Sequence, residues 1–225
     1  MDGKSLDRVL TVVLIVVASL VGINAVQGPR APKAPNVVRE AQRSRAFKQW
    51  RSVDSSGYTI RGKQNAPVTI AVFTDLQCPA CRGFHSALHE ASSSRPDIVR
   101  VVYLPYPLDY HEHALSGAKA SHCVAAANGD LAKWFDVVYS KQDSIGAITW
   151  ATFASRVGIV DTAAITRCAE GDTPAATEVI VRAQAWANQI ALTGTPAILI
   201  NGHKLVRPAS AAQLDTLIRW FAQER

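Results

Sequence analysis

Apolar and polar positions along the chain change period several times, and each change marks a predicted element. From Val9 to Val26 no charge interrupts "VLTVVLIVVASLVGINAV", an apolar run of 18 residues near the minimum for a membrane-spanning helix. Residues 1–8 form a short tail before it, and "QGPRAPKAP" follows as a proline-rich stretch that cannot pack as a helix. Val37 to Trp50 has room for a short amphipathic helix. Residues 27–56 therefore read as a basic stem, and the domain is expected to occupy 57–225.

Inside that domain "GYTIRG" predicts a short strand, "NAP" a turn, and Val68 to Thr74 a strand of β-branched and aromatic residues. Phe84, Ala87, Leu88 and Ala91 recur at helical spacing, which predicts a helix from about Cys78 to Ser92. "IVRVVYL", Ile98 to Leu104, is the next strand. Strand, helix and strand in close succession make a βαβ unit and hence a parallel pair. A helical stretch from about 106 to 192 follows, broken at "NGD", "DSIGAIT", "VGIVD" and "GDTP". Asp161 and either Asp172 or Thr173 are expected N-caps, with Pro174 in a first helical turn. The chain returns to strand at "PAILI", turns at Asn201 and Gly202, and forms a second short strand near Lys204 to Val206. Ser210 opens a last helix with Leu214, Leu217, Ile218 and Phe221 inward. The fold class is α/β.

Composition agrees with a folded chain, at 48% hydrophobic and 19% charged residues. The net charge of +6 is local: seven basic residues between Arg30 and Arg51 face Glu40 alone, and from residue 52 onward the charges balance. A nucleic-acid partner would need basic residues on the domain, where no surplus remains. The apolar run is expected to be a retained signal anchor that ties the protein to a membrane. Ile23 and Ala25 loosely suit a cleavage site, but no A-x-A triplet follows. Lys4 and Arg8 precede the run and five basic residues follow it closely, a count that by itself would keep the domain cytoplasmic.

Four cysteines are too few for a disulfide-stapled scaffold, so each is read singly. Cys78 and Cys81 lie where a strand gives way to a helix, with Pro79 suited to the first helical turn. Free backbone N–H groups at a helix start favour a thiolate, which makes Cys78 the candidate nucleophile. Cys81, one turn further in, is placed to attack a mixed disulfide formed at Cys78. A zinc site would need a second pair of ligands. His85 and His89 could face the same way, but Phe84, Ala87 and Leu88 already claim the core face, and "HEH" at His111 to His113 reads as a solvated helix start. No metal is expected. Cys123 and Cys168 either bridge two helices or remain buried thiols acting as small hydrophobes, and an oxidising compartment favours the structural bridge.

"FTDLQCPAC" at a strand end, "VVYLPYPL" as the next strand and "TGTPAILING" near the C-terminus resemble the DsbA-like branch of the thioredoxin superfamily, over about residues 57–223. The resemblance implies a thioredoxin fold with an inserted helical domain at about 106–192. It implies disulfide exchange with unfolded or partly folded protein substrates through Cys78 and Cys81, on the extracytoplasmic side, with a membrane redox partner and no cofactor. Thr195 and Pro196 match the family's cis-proline and its preceding residue, which imply a substrate-binding edge. Two positions depart from the family's pattern. Val72 stands where relatives often place a buried acid, with Asp75 a nearby substitute or an exposed acid at the strand end. The intervening dipeptide Pro79-Ala80, which tunes the thiolate, lacks the histidine of the strongest oxidants. Disulfide reduction or isomerisation would use the same residues. A metal-delivery protein using Cys78, Cys81 and His85, or a binding module without exchange, are the other readings.

Overall fold

Val68–Thr74 and Val99–Pro105 are buried at every position, as strands covered on both faces must be. The computed structural model describes residues 34–48, 50–51 and 57–224. In chain order the elements are α1 (Asn36–Arg43), β1 (Tyr58–Arg61), β2 (Val68–Thr74), α2 (Pro79–Ser92) and β3 (Val99–Pro105). A helical layer follows, with α3 (Ala114–Ala126), α4 (Leu131–Ser140), a 3-10 turn (Gln142–Ser144), α5 (Trp150–Ser155), α6 (Thr162–Glu170) and α7 (Pro174–Gln189). The chain closes with β4 (Ala197–Ile200), β5 (His203–Lys204) and α8 (Ala211–Gln223).

The sheet order is β1-β3-β2-β4-β5, with β2 and β3 parallel and the other neighbours antiparallel. Side chains alternate between faces along each strand. One face carries Ala71, Phe73, Val102, Leu104 and Leu199 against Ala183, Trp186 and Ala187 of α7. Burying a side chain such as Phe73 contributes roughly 1.5–3 kcal/mol. On the other face α8 packs on β2 and against α2. This is a thioredoxin-like α/β fold with a mixed sheet.

Local chemistry sets several element ends. Asp130 and Asp161 accept from the N–H groups of Lys133 and Ala164, capping α4 and α6. Ser210 and Gln213 form a reciprocal capping box at α8. Thr173 occupies the N-cap position of α7, yet its hydroxyl donates to the Cys168 carbonyl at 2.8 Å and accepts from no N–H of its own helix. Asn201 and Gly202 both take positive φ, 45° and 85°, as a tight hairpin turn requires. Asn201 Oδ1 also accepts from the Thr69 N–H at 2.8 Å, tying the turn to β2.

Two expectations change, and a third falls outside the described residues. The apolar run 9–26 and the tail before it lie outside the described residues; among the described residues no helix is long and apolar enough to cross a membrane. The described part of the expected stem is not a free spacer. Val38 and Ala41 of α1 are fully buried, Phe47 meets the Trp186 ring edge-on at 4.8 Å, and the Phe47 N–H donates to the Gly202 carbonyl at 2.9 Å. Apolar residues spaced along an otherwise basic segment cover the hairpin, and a side chain at Gly202 would collide with Trp50. The hairpin's second strand is only His203–Lys204, ending before Val206, which is exposed.

Cys123 of α3 and Cys168 of α6 are bridged across a sequence separation of 45, pinning the two helices together. Close by, the buried Trp134 donates its indole N–H to Ser121 Oγ at 2.9 Å. Cross-linking a loop of this length is worth on the order of 3 to 4 kcal/mol in a chain-entropy account. Replacing both cysteines by alanine is expected to lower the unfolding free energy by about that amount, read as an earlier urea midpoint with an intact far-UV spectrum.

Candidate active site

The site grows from the end of β2. Phe73 pairs with Leu104 on one side and Ala197 on the other, so the residues just past Phe73 and just before Ala197 are brought together. The Thr195–Pro196 peptide between them is cis. Beyond Thr74 the chain turns through Asp75, Leu76 and Gln77 into α2. Cys78 is the N-cap with an extended backbone, and Pro79 occupies the first turn, where its missing N–H costs nothing.

This turn is held from several directions. The Cys78 N–H donates to the Asp75 carbonyl at 3.2 Å, and the Cys78 carbonyl accepts from the N–H groups of Cys81 and Arg82 at 3.0 and 3.2 Å. Asp75 is buried; its carboxylate accepts from the main chain of Gln77 (2.7 Å) and Leu108 (2.9 Å), and it pairs with His111 Nδ1 at 2.9 Å. The exposed-acid reading of Asp75 is thereby corrected, since three donors from two loops draw the carboxylate inward. The same pairing removes His111 from the solvated role expected for "HEH". Gln142, arriving from the 3-10 turn in the middle of the helical layer, donates its amide to the carbonyls of Leu76 (2.7 Å) and Cys78 (3.0 Å).

Both thiols are free and buried, and the Cys78 sulfur lies 3.4 Å from the Thr195 carbonyl, to which it donates only in its protonated form. Their acidities diverge. The hydrogen bond from Cys81 is the leading cause that brings the Cys78 thiol down to about 5. Burial opposes this, while Thr195 and the N–H groups of Cys81 and Ala80 reinforce it. Burial foremost, then the hydrogen bond it gives to Cys78, drives the Cys81 thiol strongly upward. One sulfur therefore carries the charge and the other the proton. Pro79 and Ala80 flank the pair on the exposed side, and Thr195 and Pro196 are half-buried opposite it.

The structure brings Cys78, Cys81, Asp75, Thr195 and Pro196 into one neighbourhood and leaves Cys123 and Cys168 in the helical layer as a bridge. Both ring nitrogens of His85 are engaged within the protein: Nδ1 is bonded to the Tyr103 hydroxyl at 2.7 Å and Nε2 to Asp136 at 2.8 Å. Among the described residues no group of three or more His, Cys, Asp or Glu is arranged to hold a metal ion. Gln142 and Tyr139 escaped the sequence reading, because nothing in "VVYSKQDS" marks a residue that reaches a loop more than sixty positions earlier.

Residues 54–219 match the family model described as thioredoxin, and the chain belongs to that family. Solved structures share its fold. A thioredoxin-like oxidoreductase from Silicibacter pomeroyi is 23% identical and superposes with a TM-score of 0.65, covering 78% of this chain and 98% of that one. BdbD from Bacillus subtilis, in its oxidised form, is 17% identical at a TM-score of 0.60, over 76% of this chain and 95% of that one. The thiol-disulfide exchange protein alpha-DsbA2 from Wolbachia pipientis is 16% identical at 0.60, over 71% and 84%. A stretch of the Na(+)/H(+) antiporter NhaA of Herminiimonas arsenicoxydans is 27% identical over 146 residues, 65% of this chain. The chain spans only 22% of that relative's length.

The acidity split is measurable. In the reduced protein, Cys78 alkylation by iodoacetamide should titrate with a midpoint of about 5, and Cys81→Ala should raise that midpoint by removing the leading cause. A thiol depressed by folding adds stability that is present above its unfolded value and lost as pH falls through the folded one. The reduced protein should accordingly lose stability relative to Cys78→Ser as pH drops from 9 to 5, read by thermal melts.

Proposed function

We propose that the protein is an extracytoplasmic thiol-disulfide oxidoreductase that forms disulfides in exported protein substrates through Cys78 and Cys81. The observation that carries this reading is the Cys78 sulfur at the start of α2, beside Thr195 and with a stabilised negative charge. A substrate thiolate attacks the Cys78 sulfur of the oxidised pair, the Cys78–Cys81 bond breaks, and Cys81 leaves with the electron pair. A second substrate thiolate then attacks the substrate sulfur of the mixed disulfide and expels the Cys78 thiolate. The substrate is oxidised by two electrons and the pair reduced by two. A stable Cys78 thiolate is a good leaving group and favours the reduced protein, which is the condition for donating a disulfide.

Thr195 and Pro196 border the sulfur just before the start of β4, where an extended substrate strand can lie along the main chain with little side-chain selectivity. The bridge between Cys123 and Cys168 supports an oxidising compartment. The apolar run at 9–26 supports a membrane anchor and, with it, reoxidation by a membrane partner.

The reduction potential of the pair, equilibrated against glutathione in detergent and read by alkylation mass, tests the direction of exchange. A value well above thioredoxin's, about −270 mV, is expected; a value near it would make the protein a reductant or isomerase. In cells, Cys81→Ser is expected to accumulate mixed disulfides with exported proteins, and Cys78→Ser none.

A further inference from the structure

Cys81 changes charge in every turn of the exchange, and it does so inside the core at 2% exposure. Its proton must be delivered or removed by the protein. Val72, which pairs with Tyr103 on β3, offers no ionisable group. One turn along α2 from Cys81, however, lies His85, also buried and on the same helix face.

The His85 ring is held at both nitrogens. Asp136 only accepts, so Nε2 carries hydrogen, and the Nδ1 of the neutral ring accepts from the Tyr103 hydroxyl. A proton reaching Nδ1 reverses the Tyr103 bond and leaves an imidazolium against a carboxylate. Tyr139 lays its ring 4.9 Å from that of His85, while its hydroxyl meets Thr74 Oγ1 at 2.5 Å. The Thr74 hydroxyl works against burial to ease the Cys81 thiol downward, and the Cys81 charge pushes both tyrosine hydroxyls up.

The outer side of the cluster is open. A groove of about 590 Å³ is lined by His85, His89, Asp136 and Tyr139, and the Asp136 side chain is 38% exposed. His89 Nδ1 lies 3.4 Å from Asp136 and 3.1 Å from the Arg61 guanidinium of β1. Burial works against the Asp136 charge, but the hydrogen bond from His85 and the electrostatic attraction of the His85, His89 and Arg61 side chains outweigh it and hold the carboxyl below its ordinary value. Arg82 and Glu90 stand further along the groove on α2, Arg82 paired with Asp143.

We propose that His85 is the proton-holding group for Cys81, with Tyr103 and Asp136 as its positioning residues. This rests on the exchange reading above. When Cys81 attacks a mixed disulfide at Cys78, its proton passes to His85, the Cys81–Cys78 bond forms, the bond from Cys78 to the substrate sulfur breaks, and the substrate leaves as thiolate. His85 then releases the proton through the groove. In the disulfide-donating direction His85 returns the proton to the departing Cys81.

The reduced full chain in detergent, mixed with 5,5′-dithiobis(2-nitrobenzoate), separates the steps. Cys78 attack releases one thionitrobenzoate, and Cys81 attack on the resulting mixed disulfide releases the second. His85→Gln is expected to lower the ratio of second to first release rates roughly 100-fold near neutral pH, with the deficit closing at alkaline pH as hydroxide takes the proton. Asp136→Asn and Tyr103→Phe should shift the same pH profile in the same direction, and they decide the matter if His85→Gln does not fold. An unchanged ratio and pH profile in the folded variants overturns the inference. Failure of the wild type to release the first thionitrobenzoate overturns instead the exchange reading beneath it.

Discussion

The site depends on one strand having two partners. β2 pairs in parallel with β3 and antiparallel with β4, and it ends where the Cys78 turn begins. The pairing of Phe73 with Ala197 carries residue 195 across more than a hundred positions of chain to the sulfur of Cys78. Every side chain of the central strand is buried on one face or the other, so a one-residue register slip would exchange the two packed faces and cost many kilocalories. The position of Thr195 against the thiol is therefore as secure as the core itself.

The helical layer serves that junction from the opposite side. Its bridge between α3 and α6 and its buried tryptophans make it stiff, and from its middle it extends Gln142, Tyr139 and Asp136 toward α2. Gln142 fixes the carbonyls around Cys78. Tyr139 and Asp136 reach the neighbourhood of Cys81. Two sulfurs one helical turn apart thus meet different surroundings, a helix start with free N–H groups for one and a nearly dry interior for the other. That difference moves the two thiols' acidities in opposite directions.

Much of this was legible in the chain. Alternation and apolar runs marked β2, β3 and β4, helical spacing marked α2 and α8, and Cys78 directly before Pro79 announced a thiol at a helix start. Those are local signals, set by backbone geometry and by which side chains a few neighbouring residues can bury together. The stem was misread beyond α1 because a basic, proline-bordered segment looks solvated until a hairpin is found beneath Phe47 and Trp50.

The sequence by itself determined the element types, the α/β class and the cysteine pair proposed to carry the chemistry, since each follows from periodicity and from bonds between near neighbours. Only the tertiary structure decided that Asp75 is buried against His111, that Gln142 holds the turn, and that His85 joins Tyr103 to Asp136 behind Cys81. Those partners come from different elements, and a long-range contact leaves no periodic trace. It exists only because the sheet register and the packing of the helical layer close on a single arrangement.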